Sequence, residues 1–169
     1  MFKKFLLALA CSSLLAVSAS AAPPERTTIV DAAIGNPDFS TLVAAVVKAD
    51  LVDTLNGRRK FTVFAPTNDA FDAAAEALIG PGAQGIELVN ALTVPELTDI
   101  LLYHVSPGQR FSDDVLSAKK VRMMNKDFTT PSLQSGTPFI DGAEIVLPDL
   151  DLDNGVIHVI GGVLLPPAE

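Results

Sequence analysis

Two histidines, one cysteine and 20 carboxylates are the side chains from which this 169-residue chain could build a reactive centre. His104 and His158 each sit in an apolar stretch, Leu101-Leu102-Tyr103-His104-Val105 and Val156-Ile157-His158-Val159-Ile160. An imidazole there is either a buried ring bonded to loop backbone or the Thr67-Asn68-Asp69 turn, or a contact residue exposed on a binding face. Structural zinc needs four thiolate or imidazole ligands, more than Cys11 and two histidines supply. No G-x-S-x-G elbow and no phosphate-cradling glycine loop is present, so acyl and phosphoryl transfer lack visible machinery. Asp149, Asp151 and Asp153 alternate like the opening of a calcium loop. Asn154 stands where that loop needs glycine, however, and Ile160 where it needs a bidentate glutamate. Strand alternation instead puts the three carboxylates on one exposed face, with Leu150 and Leu152 turned inward. No enzyme is expected, and no catalytic residue, metal or cofactor.

The first residues read as an address. Met1-Phe2-Lys3-Lys4 is basic, Phe5 to Val17 is apolar except at Cys11, Ser12 and Ser13, and Ala19-Ser20-Ala21 offers a small-residue cleavage site. That is the anatomy of a secretory signal peptide over residues 1–21, too short and wrongly flanked for a membrane anchor. The rival is a lipoprotein signal attached at Cys11. Ala8 in place of a larger aliphatic residue, and the apolar Leu14-Leu15-Ala16-Val17 beyond the cysteine, speak against it. A secreted or periplasmic location is expected. Cleavage after Ala21 leaves 148 residues without a thiol and, by removing Lys3 and Lys4, moves the net charge from -8 to -10. Such a chain relies on its core rather than on disulfides. A nucleic-acid partner is not expected, because phosphates attract the opposite charge. No later stretch reaches the 18 or so apolar residues of a transmembrane segment.

The elements follow from spacing. Residues 22–27 form a short leader, and 28–166 a single domain. Asn36-Pro37 reads as a helix start. Phe39, Leu42, Val43, Val46 and Val47 then recur on one helical face, and Leu51 to Leu55 continues to a stop at Asn56-Gly57. Lys60 to Ala65 is strand-like, ended by Pro66. Thr67-Asn68-Asp69 caps an Ala-rich helix that Gly80-Pro81-Gly82 breaks. Thr93-Val94-Pro95-Glu96 matches the capping box of a further helix. Beyond Tyr103, Val121–Met124, Pro138–Ile140, Ala143–Leu147 and Val156–Ile160 read as strands. Asp141-Gly142 and Asn154-Gly155 are hairpin signals. Asn125-Lys126-Asp127-Phe128 reads as a solvated turn and Met123-Met124 as core filler. Helices early and strands late predict an α+β fold.

Three segments carry a family resemblance. Phe61-Thr62-Val63-Phe64-Ala65-Pro66-Thr67-Asn68-Asp69-Ala70-Phe71 resembles the first signature of fasciclin-type (FAS1) domains. Tyr103-His104-Val105 matches their mid-chain motif. Asn154-Gly155-Val156-Ile157-His158-Val159-Ile160, with Gly162-Val163-Leu164-Leu165-Pro166, matches the second signature. Gly161 departs from it, since the family usually has an acid there. The resemblance covers roughly Thr28 to Pro166. It implies the FAS1 fold, a two-sheet β-wedge or sandwich with an N-terminal helical cluster. For function it implies a secreted, non-catalytic module of cell adhesion or matrix contact, with a cell-surface or matrix protein or polysaccharide as partner. Its alternative is a carrier of an apolar small molecule, carotenoid- or lipid-like. It nominates Tyr103, His104, Asn154, Gly155 and His158 for adhesion, and Phe61, Phe64, Pro66, Thr67, Asn68 and Phe71 as structural. Read as strand neighbours, Tyr103 and His104 cannot both face solvent squarely.

Overall fold

The computed structural model describes residues 27–166; the expected signal peptide and the cleavage site lie outside the described residues. Helix α1 (Ile29–Ile34) starts at Thr28, whose hydroxyl accepts the Asp31 amide while the Asp31 carboxylate accepts the Thr28 amide. Asn36 caps a 3₁₀ turn, Pro37–Phe39, which runs into α2 (Ser40–Lys48). Helix α3 (Val52–Leu55) stops at Asn56, and β1 (Phe61–Pro66) follows, buried at every residue. Helices α4 (Asn68–Leu78), α5 (Gly85–Ala91) and α6 (Val94–Tyr103) complete the helical half. The predicted capping box at Thr93 is formed, with Pro95 in the first turn. Helices α1, α5 and α7 (Ser112–Ser117) were not predicted, because each is short and, unlike α3, none continues the apolar stripe of a longer helix.

Strands make up the rest: β2 (Val105–Pro107), β3 (Val121–Arg122), β4 (Phe128–Thr129), β5 (Pro131–Gln134), β6 (Thr137–Ile140), β7 (Ala143–Leu152) and β8 (Gly155–Ile160). The two sheets are unequal. One has six strands in the order β2-β1-β8-β7-β6-β5, and the other is the β3–β4 ribbon. Strands β1 and β8 pair in parallel, from Phe61 opposite Gly155 to Pro66 opposite Ile160, and the remaining pairs are antiparallel. A parallel pair at the centre of a sheet must be covered on both faces. Phe61, Val63 and Ala65 therefore face a helical core with Phe39, Leu42 and Leu101, while Phe64 faces a second core with Tyr103, Met123, Ile140 and Leu164.

Side chains that sequence periodicity does not flag lock the helices together. Asn68, in the first turn of α4, accepts the Thr41 amide at 3.0 Å and donates to the Pro37 carbonyl at 2.9 Å. It thus caps α2, while Thr67 caps α4 itself. Lys48 closes the other end by donating to the Val89, Asn90 and Leu92 carbonyls at 2.6, 3.2 and 2.9 Å. These are carbonyls at and just beyond the end of α5, where the helix has no internal donor left to give. Lys48→Met keeps the aliphatic stem and strands the three acceptors. It is expected to cost about 1–3 kcal/mol, read as a lower urea midpoint; an unchanged midpoint would show that water replaces the ammonium without loss.

Candidate functional site

The residues nominated from the sequence are clasps inside the molecule, and they lie at three separate places. Tyr103 is the last residue of α6 and His104 its C-cap, not strand neighbours, so alternation does not apply to them. Both are buried. The Tyr103 hydroxyl donates to the Asp141 carboxylate at 2.9 Å, with the Phe128 carbonyl at 3.4 Å. Burial first, then this carboxylate, push the phenol far above its ordinary pKa. His104 Nδ1 lies 2.7 Å from the Ile100 carbonyl, and Nε2 accepts the Leu164 amide at 2.9 Å. A carbonyl only accepts and an amide only donates, so the proton sits on Nδ1. Burial pushes the imidazole down from 6.5 to about 4. Its partners are backbone groups of α6 and the C-terminal segment, not the Thr67-Asn68-Asp69 turn.

His158 uses the opposite tautomer. Nδ1 accepts the Asp149 amide at 3.1 Å, and Nε2 donates to the Arg110 carbonyl at 3.0 Å. The ring stacks on Phe64 with centroids 5.4 Å apart. Burial lowers its pKa, opposed by the Arg110 carbonyl and the Asp149 charge. At the far end of β8, the Asn154 side chain accepts the Ile29 amide and donates to the Leu55 carbonyl, both at 2.8 Å. Its own carbonyl accepts the Phe61 amide at 3.1 Å. One amide side chain thus joins α1, α3 and the β7–β8 turn. Gly155 follows because a Cβ there would run into the Phe61 carbonyl and meet Ile29 Cδ1 at 2.8 Å. Of the structural set, Phe61, Phe64, Pro66 and Phe71 are buried.

The aspartate row is exposed as expected, yet it is not idle. Asp149 accepts the Ser112 amide at 2.6 Å and its hydroxyl, Asp151 the Gln109 side chain at 2.7 Å, and Asp153 the Thr27 amide at 2.8 Å. Asp149 and Asp151 pin residues 109–112 to the sheet and Asp153 pins Thr27, Asp149 doing so from a bulge with φ 61°.

Among the described residues, an apolar cavity and a surface ribbon stand open to a partner. An apolar cavity of about 120 Å³ lies between α1, α2 and α3, lined by Ile29, Ala33, Val46, Val52, Val63 and Leu101 among others. His104 borders it, but both ring nitrogens are already bonded, so the cavity offers an occupant shape and no polar contact. The second is the β3–β4 ribbon, where Val121 and Thr129 pair inward and Arg122 and Phe128 pair outward. Its turn is the expected one: the Asn125 and Asp127 side chains bond at 2.8 Å, and the Asp127 amide donates back to Asn125. Sequence reasoning passed over the ribbon's outer face. The available signal was the crowding of Lys119, Lys120, Arg122 and Lys126 in an otherwise acidic chain.

Residues 37–166 match the family model described as the Fasciclin domain. The chain belongs to the fasciclin family. This fasciclin-domain protein is 42% identical over 156 residues to Protein sll1483 of Synechocystis, an alignment spanning 90% of this chain and 81% of that one. It is 32% identical over 155 residues to the cell surface glycolipoprotein MPB83 of Mycobacterium bovis, spanning 89% of this chain and 66% of that protein. Its fold matches the solved FAS1 domain pair from the insect cell adhesion molecule Fasciclin I, with a TM-score of 0.69. That match covers 82% of this chain and 51% of the other at 22% identity, a likeness of fold. The motif residues Tyr103, His104, Asn154 and His158 of this chain are the buried hydrogen-bonding side chains just described.

Proposed function

We propose that this fasciclin-domain protein is a secreted or periplasmic, non-catalytic module that mediates adhesion by contact with a cell-surface or matrix polymer. The observation carrying this reading is the state of the two imidazoles. Each is buried with both nitrogens bonded to backbone, so neither is free to activate a nucleophile or move a proton for a substrate. The motif residues build the scaffold, and contact falls to the exterior. The similarity to the cell surface glycolipoprotein MPB83 supports the same reading. Deleting the gene and scoring surface attachment of the host tests it. Attachment should fall and return with the full chain, but not with a version lacking residues 2–21. Normal attachment beside a specific metabolite defect would overturn it.

The cavity favours a second reading, carriage of an apolar small molecule. An engineered protein cavity of about 150 Å³ binds benzene, so 120 Å³ suits a single ring or the branched end of a longer hydrocarbon. Organic extraction of the natively purified protein, followed by mass and visible spectra, decides it. A stoichiometric chromophore or lipid supports carriage; a clean extract removes it.

A further inference from the structure

Charge is unevenly spread over this acidic protein. Four of its 12 basic residues, Lys119, Lys120, Arg122 and Lys126, fall within eight consecutive positions that contain none of its 20 acids. All four are exposed, and among the described residues no carboxylate forms an ion pair with any of them. Cations grouped in this way give one stretch of a protein of net charge -8 a local positive field that attracts anions.

The ribbon places two of them, Lys120 and Arg122, on its outer face. Val121, Met123 and Thr129 are buried, so alternation sends Lys120, Arg122, Phe128 and Thr130 to the outer face, where all four are exposed. Arg122 lies directly opposite Phe128, a residue 55% exposed. The backbone beneath is held firmly. Ser106 donates to the Arg122 carbonyl at 2.8 Å, and the Met124 amide bonds the Val105 carbonyl at 2.8 Å. The buried Tyr103 hydroxyl sits under the Phe128 carbonyl. A face fixed in this way loses little backbone freedom on binding.

We propose that the outer face of the β3–β4 ribbon binds an anionic polysaccharide, a polymer bearing carboxylates or sulfates on successive sugars. The inference rests on the surface-contact reading and names its partner class. Cations spaced along a strand suit charges repeated along a chain better than they suit one small anion. Phe128 offers an apolar ring against which the C–H face of a sugar can pack while its hydroxyls stay in water. A single flexible chain can follow the ribbon within the Debye length of about 8 Å. A stiff duplex would extend beyond it, over a protein whose net charge is -8.

The test uses the purified protein with dextran sulfate, polygalacturonate and neutral dextran at low ionic strength. Phosphatidylserine vesicles and single-stranded RNA serve as competing arms. Both anionic polysaccharides should bind, weakening as salt rises, and neutral dextran should not. Lys120→Gln with Arg122→Gln should weaken dextran sulfate binding about tenfold and flatten its salt dependence. Phe128→Ser should weaken binding with the salt dependence kept. Arg58→Gln with Arg59→Gln makes the same charge change at exposed positions before β1 and should bind as the native protein does. Equal melting temperatures keep folding out of the comparison. Polysaccharide binding lost with the ribbon, beside normal host attachment after gene deletion, would keep this site and remove the surface-contact role. Binding unchanged in the ribbon variant, or lost equally in the Arg58/Arg59 variant, would overturn the site. So would no binding by the native protein, or tighter binding to vesicles or RNA.

Discussion

Between pH 6.5 and pH 4 the protein is expected to lose about 3 kcal/mol of stability through His104 alone. The folded ring takes its proton only near pH 4, whereas the unfolded chain takes it near 6.5. Across that window the unfolded state holds more protons, so stability falls as pH falls. Above pH 6.5 the contribution is fully present, and below about 4 no more is lost. The structural reason is that a second proton on His104 would confront the Leu164 amide, donor against donor, with no carboxylate in reach. His158, also lowered by burial, adds in the same direction. Asp31 and Glu96, held below the usual carboxylate range by Thr28 and Thr93, extend the loss to more acidic solution, since their stabilisation disappears as they protonate. Urea midpoints from pH 7 to 4, for the native protein and His104→Gln, check this. The variant should start less stable and show a shallower slope. Parallel slopes would acquit His104.

A larger loss is expected from a single methyl group. Gly155→Ala should cost about 4 kcal/mol or more, enough to abolish a cooperative melt in a domain of ordinary stability. The added Cβ meets the Phe61 carbonyl, which belongs to the paired backbone of β1 and cannot rotate away as a side chain could. Relief would require β1 and β8 to part at their first register pair, taking with them the Asn154 clasp on α1 and α3. Gly161→Ala is the control. Its Cβ would lie 3.5 Å from Val146 Cγ2, an ordinary contact, so a change within about 0.5 kcal/mol is expected. Native-like melting of Gly155→Ala would mean that the two strands tolerate a wider separation.

What the sequence made legible was local. Caps such as Asn36, Thr67 and Thr93 depend on residues two or three positions away, and each was readable as it stands. Asn154-Gly155 was equally clear as a turn signal. Its second role was hidden, because Ile29 and Leu55 lie 125 and 99 positions distant. The same holds for Lys48, whose acceptors are 41 to 44 positions away. Tyr103-His104 was misplaced on a strand because the apolar run continues from α6 into β2 without a breaker, leaving periodicity nothing to mark the boundary. The outward charge of β3–β4 was present in the composition. Only the inward burial of Val121, Met123 and Thr129 shows which side those charges occupy.

The parallel seam between β1 and β8 also sets a clock. Strand β8 fills the position between β1 and β7, so the sheet cannot close until almost the whole described chain has been made. At about 5–20 residues per second, roughly 5–20 s pass between completion of β1 and completion of β8 on the ribosome. Throughout that interval β1, apolar on both faces, waits with an open edge, the state in which strands pair with the wrong neighbour. A chain ending at Asn154 would never leave that state. Its synthesis should yield aggregate or proteolytic fragments, even though it keeps the helices, the ribbon and seven of the eight strands.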